Sequence, residues 1–173
     1  MILKGFKKKS NEKYLNKLLS KRQIVDNDNT FECLGVILNI DEFEDFESFK
    51  KLAKIIGIRS DKLTVVAFSE KEENDITVFK PCFNSNDFGR KGTVNNLELK
   101  AFLETDFDAL ISYYQNDILE LKLITAKSKA KFKIGILQTD ERLNDLILQT
   151  NVKTFNLFKT ELVKYLSILN KIK

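Results

Sequence analysis

The sequence predicts an α/β fold: a three-layer sandwich with a mainly parallel sheet of about five strands, flavodoxin-like or Rossmann-like, plus a basic N-terminal helix. Two features carry that reading. Short apolar runs such as Cys33-Leu34-Gly35-Val36-Ile37-Leu38 are too brief for helices and do not alternate with polar residues. That is the pattern of strands buried on both faces. Stretches of helical periodicity separate the runs, so successive strands are joined by right-handed crossovers that lay helices on both faces of the sheet. A chain of 173 residues suits one such core. Residues 1–25 read as a basic arm and helix, and residues 30–173 as a single α/β domain.

The arm divides in two. Ile2, Leu3 and Phe6 cluster on one helical face, whereas Tyr14, Leu15, Leu18 and Leu19 cluster on another. This predicts a short basic head, then a helix starting near Ser10 or Asn11, both good N-caps. Residues 26–29, DNDN, form a polar connector into the first strand, 33–38. Asp41 and Glu44 then give a D-x-x-E capping signal for a helix that turns Phe43, Phe46, Phe49, Leu52, Ala53 and Ile56 inward and stops at Gly57. Residues 63–68, LTVVAF, are the second strand. Residues 71–75 are a charged turn, 76–79 a candidate edge strand stopped by Pro81, and 83–96 a loop. A short helix around 97–103 leads to a strand at 107–113, a helix at about 117–128 and a strand at 132–137. Residues 145–149 are a candidate last edge strand. Phe155, Phe158, Leu162, Tyr165, Leu166, Leu169 and Ile172 then repeat at helical spacing.

Composition narrows the chemistry. The chain has 43% apolar and 31% charged residues, as in globular proteins, with 14 Phe and no Trp. It has no His, which removes Ser-His-Asp and Cys-His units and the usual His-containing zinc sites. Carboxylate, Lys and Mg²⁺ chemistry remain open, but no strong motif for any of them is present; no cofactor, metal or catalytic residue is assigned. Cys33 and Cys82 form no CxxC pair and read as buried reduced thiols of a cytoplasmic protein. No apolar run suffices for a transmembrane segment or a signal peptide. The net charge of +4 is unevenly spread: residues 1–22 hold seven Lys and Arg22 against Glu12 alone, a sum of +7, leaving −3 for the rest.

Five features are weighed as candidate sites. In open α/β sheets ligands bind beyond the strand carboxyl ends, where strand order reverses. There Asn39, Asp41, Ser112, Tyr113, Tyr114 and Asn116 offer a polar and aromatic rim, or else they cap helices and cover the sheet. The acidic cluster Asp41, Glu42, Glu44, Asp45 and Glu47 opposes a helix dipole or receives the basic arm, within one chain or in a homodimer. Gly89-Arg90-Lys91-Gly92-Thr93 has the composition of a phosphate cradle, through Arg90 and Lys91, without the P-loop spacing; a surface turn is the simpler reading. Lys127, Lys129, Lys131 and Lys133 read as a solvated ridge. The strongest interaction signal is the arm itself: Lys4, Phe6, Lys7, Lys8, Lys9 and Lys13 suit RNA or ribosomal phosphates or an anionic membrane surface, unless the helix simply docks with its lysines in water.

The segments GVILNIDEF (35–43), NDFGRKG (86–92), FDALISYY (107–114) and SKAKFKIGI (128–136), with the opening MILKGFKKKSNEKYLNKLL, resemble a family of small uncharacterised bacterial proteins, a domain of unknown function. That resemblance implies a cytoplasmic α/β fold and no particular reaction. Residues 107–136 are also similar, more faintly, to a strand–helix–strand in the N-terminal half of heptosyltransferase-like glycosyltransferases. This second likeness implies a half-enzyme without a donor-binding domain. The expectation is therefore a non-catalytic protein that binds a macromolecular partner through its arm. The alternative is a nucleotide or nucleotide-sugar site, or a degenerate transferase site, at the strand ends.

Overall fold

The structure is a computed structural model that describes residues 2–24, 29–71, 82–137 and 140–172. Most of the connector at 26–29, most of the charged turn at 71–75 and the whole edge strand expected at 76–79 lie outside these residues.

Among the described residues six parallel strands form the sheet: β1 (Leu34–Asn39), β2 (Leu63–Phe68), β3 (Cys82–Phe83), β4 (Ala109–Tyr113), β5 (Phe132–Ile136) and β6 (Leu146–Leu148). Their order is β3-β2-β1-β4-β5-β6, the Rossmann arrangement rather than the flavodoxin one. The switch point falls between β1 and β4, where Val36 sits between Val65 and Ile111 in register. The sixth strand is the two-residue β3, which pairs with β2 at the sheet edge.

The helices are α1 (Ile2–Lys21), α2 (Glu47–Ile55), α3 (Leu97–Glu104), α4 (Leu119–Lys127) and α5 (Phe155–Ile168). Side chains leave a strand on alternate faces, so one sequence serves two cores. Val36, Leu38, Ile111, Tyr113 and Ile134 pack with Phe49 and Leu52 of α2 and with Phe158, Leu162 and Leu166 of α5. Ile37, Val66, Phe68, Leu110 and Tyr114 pack on the opposite face with Leu15 and Leu19 of α1, Leu99 and Phe102 of α3, and Leu121 and Ile124 of α4. Phe43, Phe49, Phe155 and Phe158 ring Tyr113, with centroids 4.8–5.7 Å from its own.

Two helix boundaries differ from expectation. The arm is one continuous helix, without a break between head and body. Its two apolar groups need not share a face, because the first turns overhang: Leu3 and Phe6 are 81% and 56% exposed. Ser10 and Asn11, expected as N-caps, are instead held by the turn at 89–92. Asn11 donates to the Gly89 carbonyl (3.0 Å) and accepts from the Gly92 amide (2.9 Å), and Ser10 Oγ accepts from the Lys91 amide. The second helix begins at Glu47, not at Asp41, and Asp45 accepts from the Ser48 amide and hydroxyl at its start. Its end matches: Gly57 takes φ +81°, the left-handed geometry that closes a helix at least cost to glycine.

Candidate functional site at the strand carboxyl ends

The switch-point crevice is filled by the chain's own side chains. After β1 the backbone turns sharply, with the Glu42 and Phe43 amides bonded to the Asn39 carbonyl. That turn aims the Glu42 carboxylate across the crevice. It accepts from the Gln115 and Asn116 amides beyond β4, each at 3.1 Å, and from Asn39 Nδ2 at 2.9 Å. Asp41 reaches the other way and accepts from Ser69 Oγ (2.8 Å) and the Glu70 amide (2.9 Å) beyond β2. In a nucleotide-binding Rossmann fold such amides would face a phosphate. Here two carboxylates already hold them.

The remaining rim candidates are committed inside the protein. Asn39, Ser112, Tyr113 and Tyr114 are buried. Ser112 and Tyr114 both bond to Thr125 Oγ1, at 3.1 and 2.8 Å, while Tyr113 donates to the Val152 carbonyl at 2.9 Å. Burial pushes both phenols far above their usual range, so they are neutral hydrogen-bonding groups. Asn116 is exposed, with its amide on Glu42. Arg90 and Lys91 also expose their side chains. Their turn is no free surface loop, however. Gly92 is buried at φ +63°, and a Cβ there would meet the Tyr14 ring at 2.6 Å. The turn is the seat on which α1 rests.

The lysines after α4 do not form the expected solvated ridge. Lys133 is 3% exposed and donates to the Thr125 and Ala126 carbonyls, at 2.7 and 3.3 Å, capping the negative end of α4. Burial, then repulsion from Arg22, pulls its pKa down to about 8. Lys127 reaches the Gly92 carbonyl at 2.8 Å and lies over the Tyr14 ring. Only Lys129 and Lys131 stay at the surface, paired with Glu104 and Asp108. Strand alternation turned Lys133 inward, and a polar helix end accepted it.

The helix α1 has a buried and an exposed face. Asn11, Leu15 and Leu19 lie buried against the domain. Opposite them Lys9, Lys13, Lys17 and Lys21 are all exposed at intervals of four residues, and none has an ion-pair partner among the described residues. No acidic residue occupies the first turn to meet the helix dipole. On the side facing the sheet ends, Lys4, Lys7 and Lys8 line an open cavity of about 620 Å³. The cavity lies between α1, the start of α4 and the loops after β2, β3 and β5, with Glu70, Ser85, Asp117 and Asp140 in its walls.

Of the candidates named from sequence, the structure brings Lys4, Lys7 and Lys8 to that cavity. Phe6, Lys9 and Lys13 stand outside it, and none of the crevice residues lines it. Sequence reasoning missed Glu42 as the crevice plug and Glu70, Asp117 and Asp140 as wall residues. Each follows a strand's carboxyl end, and that rule could have found them.

Among the described residues no three metal-ligating side chains converge, and no helix is long and apolar enough to cross a membrane. Among the described residues Cys33 and Cys82 are joined in no disulfide, and both are partly exposed rather than buried as expected. Comparison with curated proteins and with solved structures found no match, so the likeness to heptosyltransferase-like enzymes gains no support there. Residues 7–169, nearly the whole chain, match the model of a family of unknown function (DUF6913), and the chain belongs to that family.

Proposed function

We propose that this is a non-catalytic cytoplasmic protein that docks an anionic macromolecule, the phosphate backbone of RNA, through the outward face of α1. The observation that carries the reading is the slanting row Lys9, Lys13, Lys17 and Lys21, exposed and without ion-pair partners among the described residues. At 1.5 Å per residue the row is ~18 Å long with a charge every ~6 Å, a linear array that suits a linear polyanion. Three like-charge i,i+4 pairs cost the isolated helix about 1 kcal/mol. An anionic partner would offset that cost and complement the uncompensated helix dipole. RNA fits better than a bilayer, because among the described side chains only Leu3 and Phe6 are exposed apolar groups at the helix tip, few for an interfacial anchor. The filled crevice supports the non-catalytic half of the reading: its best-placed amides are occupied by Glu42.

The test compares the tagged full-length protein with a Lys9→Glu/Lys13→Glu/Lys17→Glu variant recovered from lysate at low salt. Nuclease-sensitive RNA should accompany the wild type and be absent from the variant. Equal RNA on both, or recovery of the protein on phosphatidylserine vesicles but not with RNA, overturns the proposal.

A further inference from the structure

We infer that the cavity beneath α1 binds a phosphate-bearing, hydroxylated small molecule of nucleotide size, independently of the outward lysine row. Its volume, about 620 Å³, falls in the range of small-molecule sites, ~300–1,000 Å³. It also lies over strand carboxyl ends, where α/β sheets hold ligands. The switch-point crevice is plugged by Glu42, whereas this cavity is open.

The lining is of mixed charge, with Lys4, Lys7, Lys8 and Lys122 against Glu12, Glu70, Asp117, Glu120 and Asp140. Lys4, Lys7 and Lys8 enter from the first two turns of α1, and Lys7 Nζ donates to the Ser85 carbonyl at 2.8 Å, which fixes the basic end beside the loop after β3. Neither Lys4 nor Lys8 has an ion-pair partner among the described residues. One to three turns further along α1 come Glu12 and Asn16. Asn16 Oδ1 accepts from Arg142 Nη2, and Arg142 also pairs with Asp140, so the hydrogen bonds place Asp140 at this second end. Lys7 and Asn16 are nine residues apart on one helix, ~14 Å along its axis.

A ligand matching both ends carries phosphate oxygens for the ammonium groups and hydroxyl or amino donors for the carboxylates. Neither inorganic phosphate nor an uncharged sugar satisfies both. A nucleoside diphosphate does, with its phosphates among Lys4, Lys7 and Lys8 and its ribose hydroxyls donating to Glu12 and Asp140.

Calorimetric titration of the full-length protein with ADP, GDP, CDP and UDP, and with pyrophosphate and the nucleosides alone, tests this. At least one diphosphate should bind about tenfold or more tighter than its own nucleoside and than pyrophosphate. Lys4→Glu/Lys8→Glu should weaken it about tenfold or more with an unchanged melting temperature, and Glu12→Gln should weaken the diphosphate but not pyrophosphate. Lys9→Glu/Lys13→Glu, on the opposite face, should leave binding unchanged, so failure here is separable from failure of the RNA reading. No binding of any diphosphate, or equal loss with the outer-face variant, overturns the inference.

Discussion

Replacing Gly92 with Ala tests whether α1 is seated on the turn at 89–92. The added methyl carbon would lie 2.6 and 2.7 Å from two Tyr14 ring carbons, closer than any relaxed contact. The left-handed φ of +63° costs a non-glycine residue about 1–2 kcal/mol. Shifting a ring that is packed beneath Lys127 adds about 1–3 kcal/mol of overpacking. The expected loss is about 2–5 kcal/mol. For a chain of this size each kcal/mol moves the melting temperature by ~2–4 °C, so Gly92→Ala should melt roughly 4–20 °C lower by circular dichroism. Gly5→Ala is the matched control. Nothing lies within 4 Å of the added carbon on an exposed helix, so it should be neutral or stabilising by up to ~1 kcal/mol. If the two variants melt together, α1 does not rest on Gly92 and the placement of both its faces is wrong.

Three further outcomes are expected. Glu42→Ala strips three donors of their acceptor, one of them on fully buried Asn39, and should cost about 2–3 kcal/mol in urea unfolding; sulfate should restore part of the loss by occupying the vacated amides, and no loss at all would mean the crevice is not closed by Glu42. Lys133 binds its proton less tightly in the folded than in the unfolded chain, so folding stability should rise as pH climbs from about 8 towards 10.5, by up to ~3 kcal/mol at 1.36 kcal/mol per pH unit; Lys133→Met should abolish that rise, and parallel pH profiles for the two proteins would refute it. Tyr113→Phe removes the donor to the buried Val152 carbonyl and should cost about 1–3 kcal/mol without altering the fold, an effect absent if water already serves that carbonyl.

The sheet was legible because its strands are strongly marked. The runs at Leu34–Asn39, Leu63–Phe68 and Phe132–Ile136 have no reading as surface helix, and the crossovers between them impose parallel pairing. The weak edge strand Leu146–Leu148 was also visible, since three consecutive apolar residues follow a polar turn. What the sequence hid was register between distant pieces. Asn11 reads as a good N-cap on local chemistry, yet its side chain bridges a turn 78 positions away, a partner no local pattern encodes. Glu42 looked like one more charge opposing a helix dipole until the β1–β4 neighbourhood put two bare amides in front of it. Lys133 shows the same limit. Its spacing with Lys127, Lys129 and Lys131 suggested one face, but the change from helix to strand between them rotated it into the core. The arm, expected as a short head and a separate helix, is one helix from Ile2 to Lys21, and its division into an inner and an outer set of lysines required the docked geometry.

The most direct test of the central proposal is the salt dependence of binding between the full-length protein and a single-stranded RNA oligonucleotide. Each phosphate neutralised contributes about −0.7 to the slope of log K against log salt, so engagement of Lys9, Lys13, Lys17 and Lys21 predicts a slope near −3. Charge reversal of the first three should bring the slope towards about −0.7 as affinity falls. A slope that stays near −3 in the variant would show that the polyanion, if bound, is held elsewhere on the molecule.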